Sequence, residues 1–297
     1  MTSPLRGIVA YPITPFTEAG RVDEQLLGRI VDDMLAAGVH AIAPLGSTGV
    51  LPYLSDEERE AVTDLVVKRV AGRAPTLVGV SSLTTERTAR HARYAERAGA
   101  TAVMILPMSY WKLSDREIVA HFEAVAKAIS VPIAVYNNPA TGGIDLSPDT
   151  IARLLRIPNV TMVKESTGDV NRMHRLVQLC GDEVAFYNGS NPLALAAFVA
   201  GARGWCTAAP HVIPRLTVEL YDAVTRGDLD AARRCFYRQL PFLQFIVAHG
   251  LPRAISAALE LMGTRVGPLR APLQPLEKER VEELRRILVD LAVLPSA

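Results

Sequence analysis

AGATAVMILP, residues 98–107, holds a helix end, a turn and a strand in immediate succession. The polar, helix-patterned stretch TTERTARHARYAERAGA runs into Gly99, and an apolar run, TAVMILP, follows at once. A glycine at that point can take the left-handed cap conformation and turn the chain directly into the next strand. The same punctuation recurs at AGVHAI (37–42) and AGARGW (200–205), a weak internal repeat of helix–strand units.

Working outward, apolar runs of strand length alternate with helical patterns along most of the chain. The strand candidates are GIVAYPI (7–13), AIAPLG (41–46), TLVGVSS (76–82), TAVMILP (101–107), PIAVYNN (132–138), VTMVKES (160–166), VAFYNG (184–189) and GWCTAA (204–209). Helical patterns such as DEQLLGRIVDDMLAAG and SDEEREAVTDLVVKRVAG lie between them, and Ser55, Thr84 and Ser114 stand where N-caps belong. Nearly continuous apolar strands alternating with helices imply a parallel sheet covered by helices. Eight such units in about 225 residues predict an α/β fold, a (β/α)8 TIM barrel. A doubly wound sheet is the alternative, but the first strand runs into Pro-Ile-Thr-Pro instead of a glycine-rich phosphate turn. From about residue 226 the pattern is helical with no strands between, so the expected organisation is a barrel over 1–225 and a C-terminal helical extension over 226–297. RVGPLRAPLQPL (265–276) reads as a proline-rich linker within that extension.

Composition narrows the function classes. The 297 residues carry a formal net charge of +1, which gives no field for nucleic acid and no acidic tail for a charged partner. Cys180, Cys206 and Cys235 are odd in number and widely spaced, so neither a disulfide framework nor a metal knuckle is expected, and a reducing cytoplasm is the predicted compartment. The amino-terminal MTSPLRGIVAYPITPF lacks the pattern of a secretion signal, and no apolar run predicts a membrane span.

In a barrel of this kind, chemistry gathers at the C-terminal ends of the strands. Those ends carry GSTG (46–49), YNN (136–138), KES (164–166), NGSN (188–191) and CTAAPH (206–211). Lys164 closes strand six, and Tyr136 closes the neighbouring strand five. A lysine held in a partly apolar pocket sheds its proton more readily, because desolvation penalises the ammonium form. Its natural electrophile is then a carbonyl carbon, giving a Schiff base, with Tyr136 placed to shuttle the proton. The GSTG turn offers hydroxyls and backbone N–H groups to a carboxylate. The structural alternative pairs Lys164 with Glu165 or Asp169 and makes Tyr136 a packing residue. Cys206 reads as a small buried hydrophobe.

A metal-dependent reaction would need several converging ligands. His91, His121 and His174 fall in predicted helices, His40 precedes strand two at the opposite end, and His249 lies in the C-terminal helices. His211 alone stands at a strand end, where a rim or interface role is expected, so neither metal nor cofactor is expected. A phosphosugar site would want glycine-rich turns after strands seven and eight, and NGSN and AAPHVIP do not supply them.

GSTG (46–49), YNNPATGG (136–143), VKESTGD (163–169) and NGSNPLAL (188–195), taken in order, resemble the dihydrodipicolinate synthase/N-acetylneuraminate lyase family of class I aldolases over nearly the whole chain. The resemblance implies that Lys164 forms the imine with pyruvate or another 2-keto acid and that Tyr136 shuttles the proton. It implies that Ser47 and Thr48 hold the keto-acid carboxylate, that Gly189 lines the pocket, and that the backbone carbonyl of Cys206 faces the bound acid. It also implies a homo-oligomer, commonly a tetramer built from dimers.

The departures from the family pattern concern specificity. Thr141 stands where the dihydrodipicolinate synthases carry an arginine for the second substrate's carboxylate. Their GTTGE turn is GSTGV here, with Ser47 and Val50 as replacements. Ser109 aligns with a tyrosine lent across their dimer interface, with Tyr110 one position away. Asn191 and Pro192 stand where the sialic-acid lyases place sugar-binding acids. The resulting expectation is a Schiff-base lyase cleaving or dehydrating a 2-keto-3-deoxy sugar acid. Dihydrodipicolinate synthesis from pyruvate and aspartate semialdehyde is the alternative, and a catalytically weak keto-acid-binding relative is a further one.

Overall fold

Ser55, Thr84 and Ser114 each accept a backbone N–H three residues ahead, and each begins a helix as their spacing predicts. At Ser55 and Ser114 the bond is reciprocated by Glu58 and Glu117, completing capping boxes. The computed structural model describes residues 4–181 and 184–295; the outermost ends of the two expected segments lie outside them.

The described residues form eight strands: β1 (Gly7–Ala10), β2 (Ala41–Ile42), β3 (Leu77–Gly79), β4 (Ala102–Ile105), β5 (Ile133–Asn137), β6 (Val160–Glu165), β7 (Ala185–Asn188) and β8 (Gly204–Thr207). All pair in parallel, in the order β2-β1-β8-β7-β6-β5-β4-β3. The parallel bridge Ile42↔Thr76 joins the two ends of that order, so the sheet closes into a (β/α)8 barrel. That closure excludes the doubly wound alternative. The strands are shorter than the apolar runs because prolines end them: Pro12 follows β1 and Pro44 follows β2, and neither can donate to a ladder.

The helices are α1 (Glu24–Ala36), α2 (Asp56–Val70), α3 (Thr85–Ala98), α4 (Asp115–Ala126), α5 (Pro139–Gly142), α6 (Pro148–Leu154), α7 (Val170–Cys180), α8 (Ala194–Val199), α9 (Pro214–Thr225), α10 (Leu229–Ala248), α11 (Leu251–Leu261) and α12 (Lys278–Asp290). Gly38, Gly99 and Gly201, just past α1, α3 and α8, all take positive φ.

Strand alternation divides the apolar residues into two cores. Val9, Tyr11, Met104, Ala134, Tyr136, Met162, Tyr187 and Cys206 fill the barrel interior. Ile8, Val103, Ile133, Val163, Phe186 and Trp205 point outward into the strand–helix layer. The last three helices bury Phe242, Ile246, Ile255 and Leu284 in that same outer layer. The expected linker at 265–276 is a docked strap. Val266 is buried and accepts from the Phe16 N–H (2.9 Å), while Arg270 pairs with Glu58 and lies 4.5 Å over the Phe16 ring. Its prolines stiffen a segment whose side chains already have partners on the β1 and β2 loops. Among the described residues, no helix is long and apolar enough to cross a membrane.

Candidate active site

Adjacent parallel strands bring the two chemistry-bearing side chains together. Tyr136 and Lys164 are register partners on β5 and β6, as are Asn137 and Glu165. Parity then separates the pairs: Tyr136 and Lys164 face the barrel interior, while Asn137 and Glu165 face outward. Lys164 is only 5 % exposed. Its Nζ lies 3.8 Å from the Tyr11 ring centroid and 3.9 Å from that of Tyr136. The two rings hold the amine in a narrow slot at the barrel mouth.

Neither acid proposed as a structural partner for Lys164 takes that part. Glu165, buried at 1 % exposure, accepts from Asn137 Nδ2 (3.1 Å), the Thr167 N–H (2.8 Å) and Arg172 Nε (3.3 Å). Asp169 caps α7 by accepting the Asn171 N–H at 2.9 Å. Lys164 makes no ion pair among the described residues. Arg172 extends the Glu165 cluster by bonding Asp145 (2.9 Å) and the Leu146 carbonyl. With Asn137 bonding both Glu165 and Asp145, this outward cluster ties together the strand ends that carry Tyr136 and Lys164.

The phenol oxygen of Tyr136 has two polar neighbours besides the lysine. Ser47 Oγ lies 3.3 Å away, and the Asn138 amide donates to it at 2.7 Å. Burial pushes the Tyr136 phenol upward, but the Lys164 charge and bonds from Ser47, Asn138 and Lys164 outweigh it, leaving the phenol below the ordinary tyrosine value. Tyr11 is the reverse case. Burial, with Cys206 and Tyr136 nearby, holds its phenol well above that value, and its hydroxyl donates to Met104 Sδ at 3.2 Å. The two phenols that flank Lys164 are thus displaced in opposite directions from the ordinary tyrosine value.

Two glycines make this packing possible. A Cβ on Gly46 would lie 2.4 Å from the Tyr11 ring, so the GSTG turn needs glycine there to let that ring approach. A Cβ on Gly189 would lie 1.8 Å from Ser166 Oγ and 2.9 Å from Lys164 Cε. Leu45 (φ 59°) and Val50 (φ 49°) bracket the turn in the left-handed region, a strained conformation for a β-branched valine. Among the described residues, no group of three His, Cys, Asp or Glu side chains is arranged to hold a metal.

The family model for the dihydrodipicolinate synthetase family matches residues 4–291. The chain belongs to that family. It is 32% identical over 290 residues to the 4-hydroxy-tetrahydrodipicolinate synthase of Methanothrix thermoacetophila, covering 97% of this chain and 98% of that protein. A crystal structure of a provisionally named dihydrodipicolinate synthetase from Pseudomonas aeruginosa is 54% identical, with a TM-score of 0.95 over 97% of this chain and 100% of that one. The dihydrodipicolinate synthase of Aquifex aeolicus is 30% identical, with a TM-score of 0.93 over 97% of this chain and 99% of that one. As a member of the dihydrodipicolinate synthetase family, the protein is an enzyme of the class I aldolase type.

Set against the family, the remaining predicted site residues divide. Thr48 is buried in the same turn as Ser47, and Cys206 faces the interior beside Tyr11, its thiol pushed up by burial. Thr141 is exposed on α5, its hydroxyl turned back to the Asn138 carbonyl at 3.5 Å. Ser109 accepts the Trp111 N–H (3.2 Å), whereas Tyr110 is 90 % exposed. Asn191 is buried and accepts from the Trp205 indole N–H at 3.1 Å, a packing bond in the outer layer. Sequence reasoning missed Tyr11, Asn138 and Ser166. Tyr11 carried a signal, a polar-tipped aromatic at the end of strand one. The other two become visible only once the barrel closes.

His211 stands in the turn after β8, at the expected rim, and acts there as a tie within the fold. It is buried, accepts the Ile13 N–H at Nε2 (3.0 Å) and donates from Nδ1 to the Ala208 carbonyl (2.7 Å), tying the turn after β8 to that after β1. Burial pushes its pKa down to about 4 from an ordinary 6.5. Between these values the unfolded chain binds the proton that the fold refuses, so stability rises with pH there and is lost as pH falls. This histidine alone should lower unfolding free energy by about 2 kcal/mol between pH 7 and pH 5. Denaturant melts of the protein and of His211→Gln check it: the variant should show a visibly shallower pH slope, and an unchanged slope would refute the assignment.

Proposed function

We propose that the protein is a Schiff-base-forming lyase acting on pyruvate or a related 2-keto acid, and that it cleaves or dehydrates a 2-keto-3-deoxy sugar acid. The observation carrying this reading is a buried, carboxylate-free Lys164 amine beside a phenol whose oxygen is already hydrogen-bonded. The Lys164 amine adds to C2 of the keto acid; a C–N bond forms, the C–O bond breaks, and water leaves. Tyr136 gives the proton that lets hydroxide depart and takes one back from the substrate alcohol as the C3–C4 bond breaks. Ser47, Thr48 and the N–H groups of their turn receive the carboxylate, the Cys206 carbonyl faces the acid, and Gly189 keeps the floor open.

Two features favour a hydroxylated over a doubly charged substrate. Thr141 has no charge for a second carboxylate, and Arg172 is already engaged by Glu165 and Asp145. Ser166 Oγ, in the space Gly189 leaves beside Lys164, is buried without a hydrogen-bond partner among the described residues and can serve a substrate hydroxyl. Losing a charge-assisted bond costs about 1.5–3 kcal/mol, or roughly 10- to 150-fold in affinity. kcat/KM for the best member of a keto-deoxy acid panel should therefore exceed that for aspartate semialdehyde with pyruvate. A semialdehyde advantage of about tenfold would reverse the ranking. Dihydrodipicolinate synthesis is the second reading, favoured by relatives of that name at about a third identity over nearly the full chain.

The same reading includes self-association. Leu83, Tyr110 and Trp111 are exposed large apolar groups on the loops after β3 and β4, and the same two loops contribute Leu83, Pro107, Met108 and Leu113 to a groove. A second copy of the chain is the proposed occupant. Sedimentation should give dimers or tetramers, and Trp111→Glu should shift them toward monomer; a monomeric parent protein would remove the idea.

A further inference from the structure

Asn138 stands at the N-cap position of the short helix α5, where an asparagine side chain ordinarily accepts a backbone N–H two or three residues ahead. It makes no such bond. The first turn is closed by the Asn138 backbone carbonyl, which accepts from Thr141 (3.2 Å) and Gly142 (2.8 Å). The side chain turns back along its own strand end and donates from Nδ2 to the Tyr136 phenol oxygen at 2.7 Å. It is a closer contact than that of Ser47 Oγ, which lies 3.3 Å from the same oxygen.

We propose that Asn138 is a positioning residue for Tyr136: its amide occupies one acceptor site of the phenol oxygen and leaves the phenolic proton a path toward Ser47 and the substrate. A phenol O–H has one proton to give, so an amide donor on the oxygen fixes the direction in which that proton leaves. The same N–H remains a partner for the oxygen once it becomes a phenolate, which favours the ionised form. The loop after β5 thereby supplies a third polar contact to the proton shuttle from within the same chain. This deepens, and rests on, the reading of Tyr136 as that shuttle.

Other groups act on the phenol from further elements: Lys164 on β6 and the Ser47 hydroxyl after β2 contact it, and Tyr11 after β1, itself beside Cys206 of β8, lies close to it. All of them remain in Asn138→Leu, an apolar near-isostere, and in Asn138→Asp, which exchanges the donor for a charged acceptor. The first readout needs no substrate. Ultraviolet titration identifies Tyr136 as the tyrosine absent from Tyr136→Phe; its transition should rise by about one pH unit in Asn138→Leu and further in Asn138→Asp. The second is turnover, in which kcat should fall about 10-fold in Asn138→Leu while KM for the keto acid changes less than about threefold. A Tyr136 transition that stays in place or moves down in Asn138→Leu overturns the proposal. So does a KM increase at constant kcat. Pyruvate trapping on the wild-type protein is the separate control: its failure removes the imine reading of the site, while the titration still decides the Asn138 contact.

Discussion

Lys164→Ala should abolish the covalent adduct that borohydride traps between the protein and pyruvate, and peptide mapping of the wild type should place that adduct on Lys164. Hydride reduces the imine to a stable secondary amine, so the added mass reports the reacting nitrogen itself. Turnover should fall by roughly 10,000-fold or more, the scale seen when a covalent nucleophile is deleted. Lys164→Arg is the informative companion, because it keeps a long cationic side chain and removes the nucleophile. Both variants should retain cooperative unfolding, since Lys164 makes no ion pair among the described residues and its slot is built by Tyr11 and Tyr136. Adduct on another lysine, such as Lys112, or persistent trapping in Lys164→Ala would end the assignment.

Tyr136→Phe should lower kcat by roughly 100-fold, about 2.7 kcal/mol of barrier, without unfolding the barrel. The ring that packs beside Lys164 survives and only the hydroxyl is lost, together with its contacts to Ser47 and Asn138. The pH profile carries an independent test. The phenol acts as an acid while protonated, and its surroundings hold it below the ordinary tyrosine value. Activity should therefore decline on the alkaline side before pH 10, and that limb should vanish from the residual activity of Tyr136→Phe. Near-parental turnover in the variant, or an alkaline limb that persists unchanged, would take Tyr136 out of proton transfer.

The barrel itself was legible because its signals are local. An apolar run, a capping serine or a helix-ending glycine each works through neighbours a few residues away, so eight strands, their order along the chain and three cap residues can be read without knowing the tertiary structure. The position of Lys164 at the end of the sixth strand, next to a fifth strand ending in Tyr136, follows from the same local reading once parallel pairing is assumed. The motifs then supplied the family and its expected roles. Alternation along a strand also states that Lys164 and Glu165 face opposite ways, but not which of them faces in. Closure of the barrel decides that, since the inner face is whichever one the other seven strands enclose.

Every feature that sequence reasoning missed or misplaced depends on that closure or on a long return of the chain. Tyr11 meets Lys164 across a distance of 153 positions in sequence, and His211 reaches the Ile13 N–H across 198. The 265–276 segment reads as a linker by composition because prolines mark both linkers and rigid straps. Val266 and Arg270 make it a strap only through Phe16 and Glu58, far earlier in the chain. Asn138 is local, two residues from Tyr136, but the phenol oxygen receives its amide only when the strand end holds Tyr136 inward. Sequence by itself thus determined which elements form and which side chains stand at their ends, because propensity, capping and period are short-range. Tertiary structure alone decided what those side chains touch, because burial and hydrogen-bond partnership at the barrel mouth are set by strand ends that only closure brings together, from Ser47 and Tyr136 at 89 positions apart to Ile13 and His211 at 198.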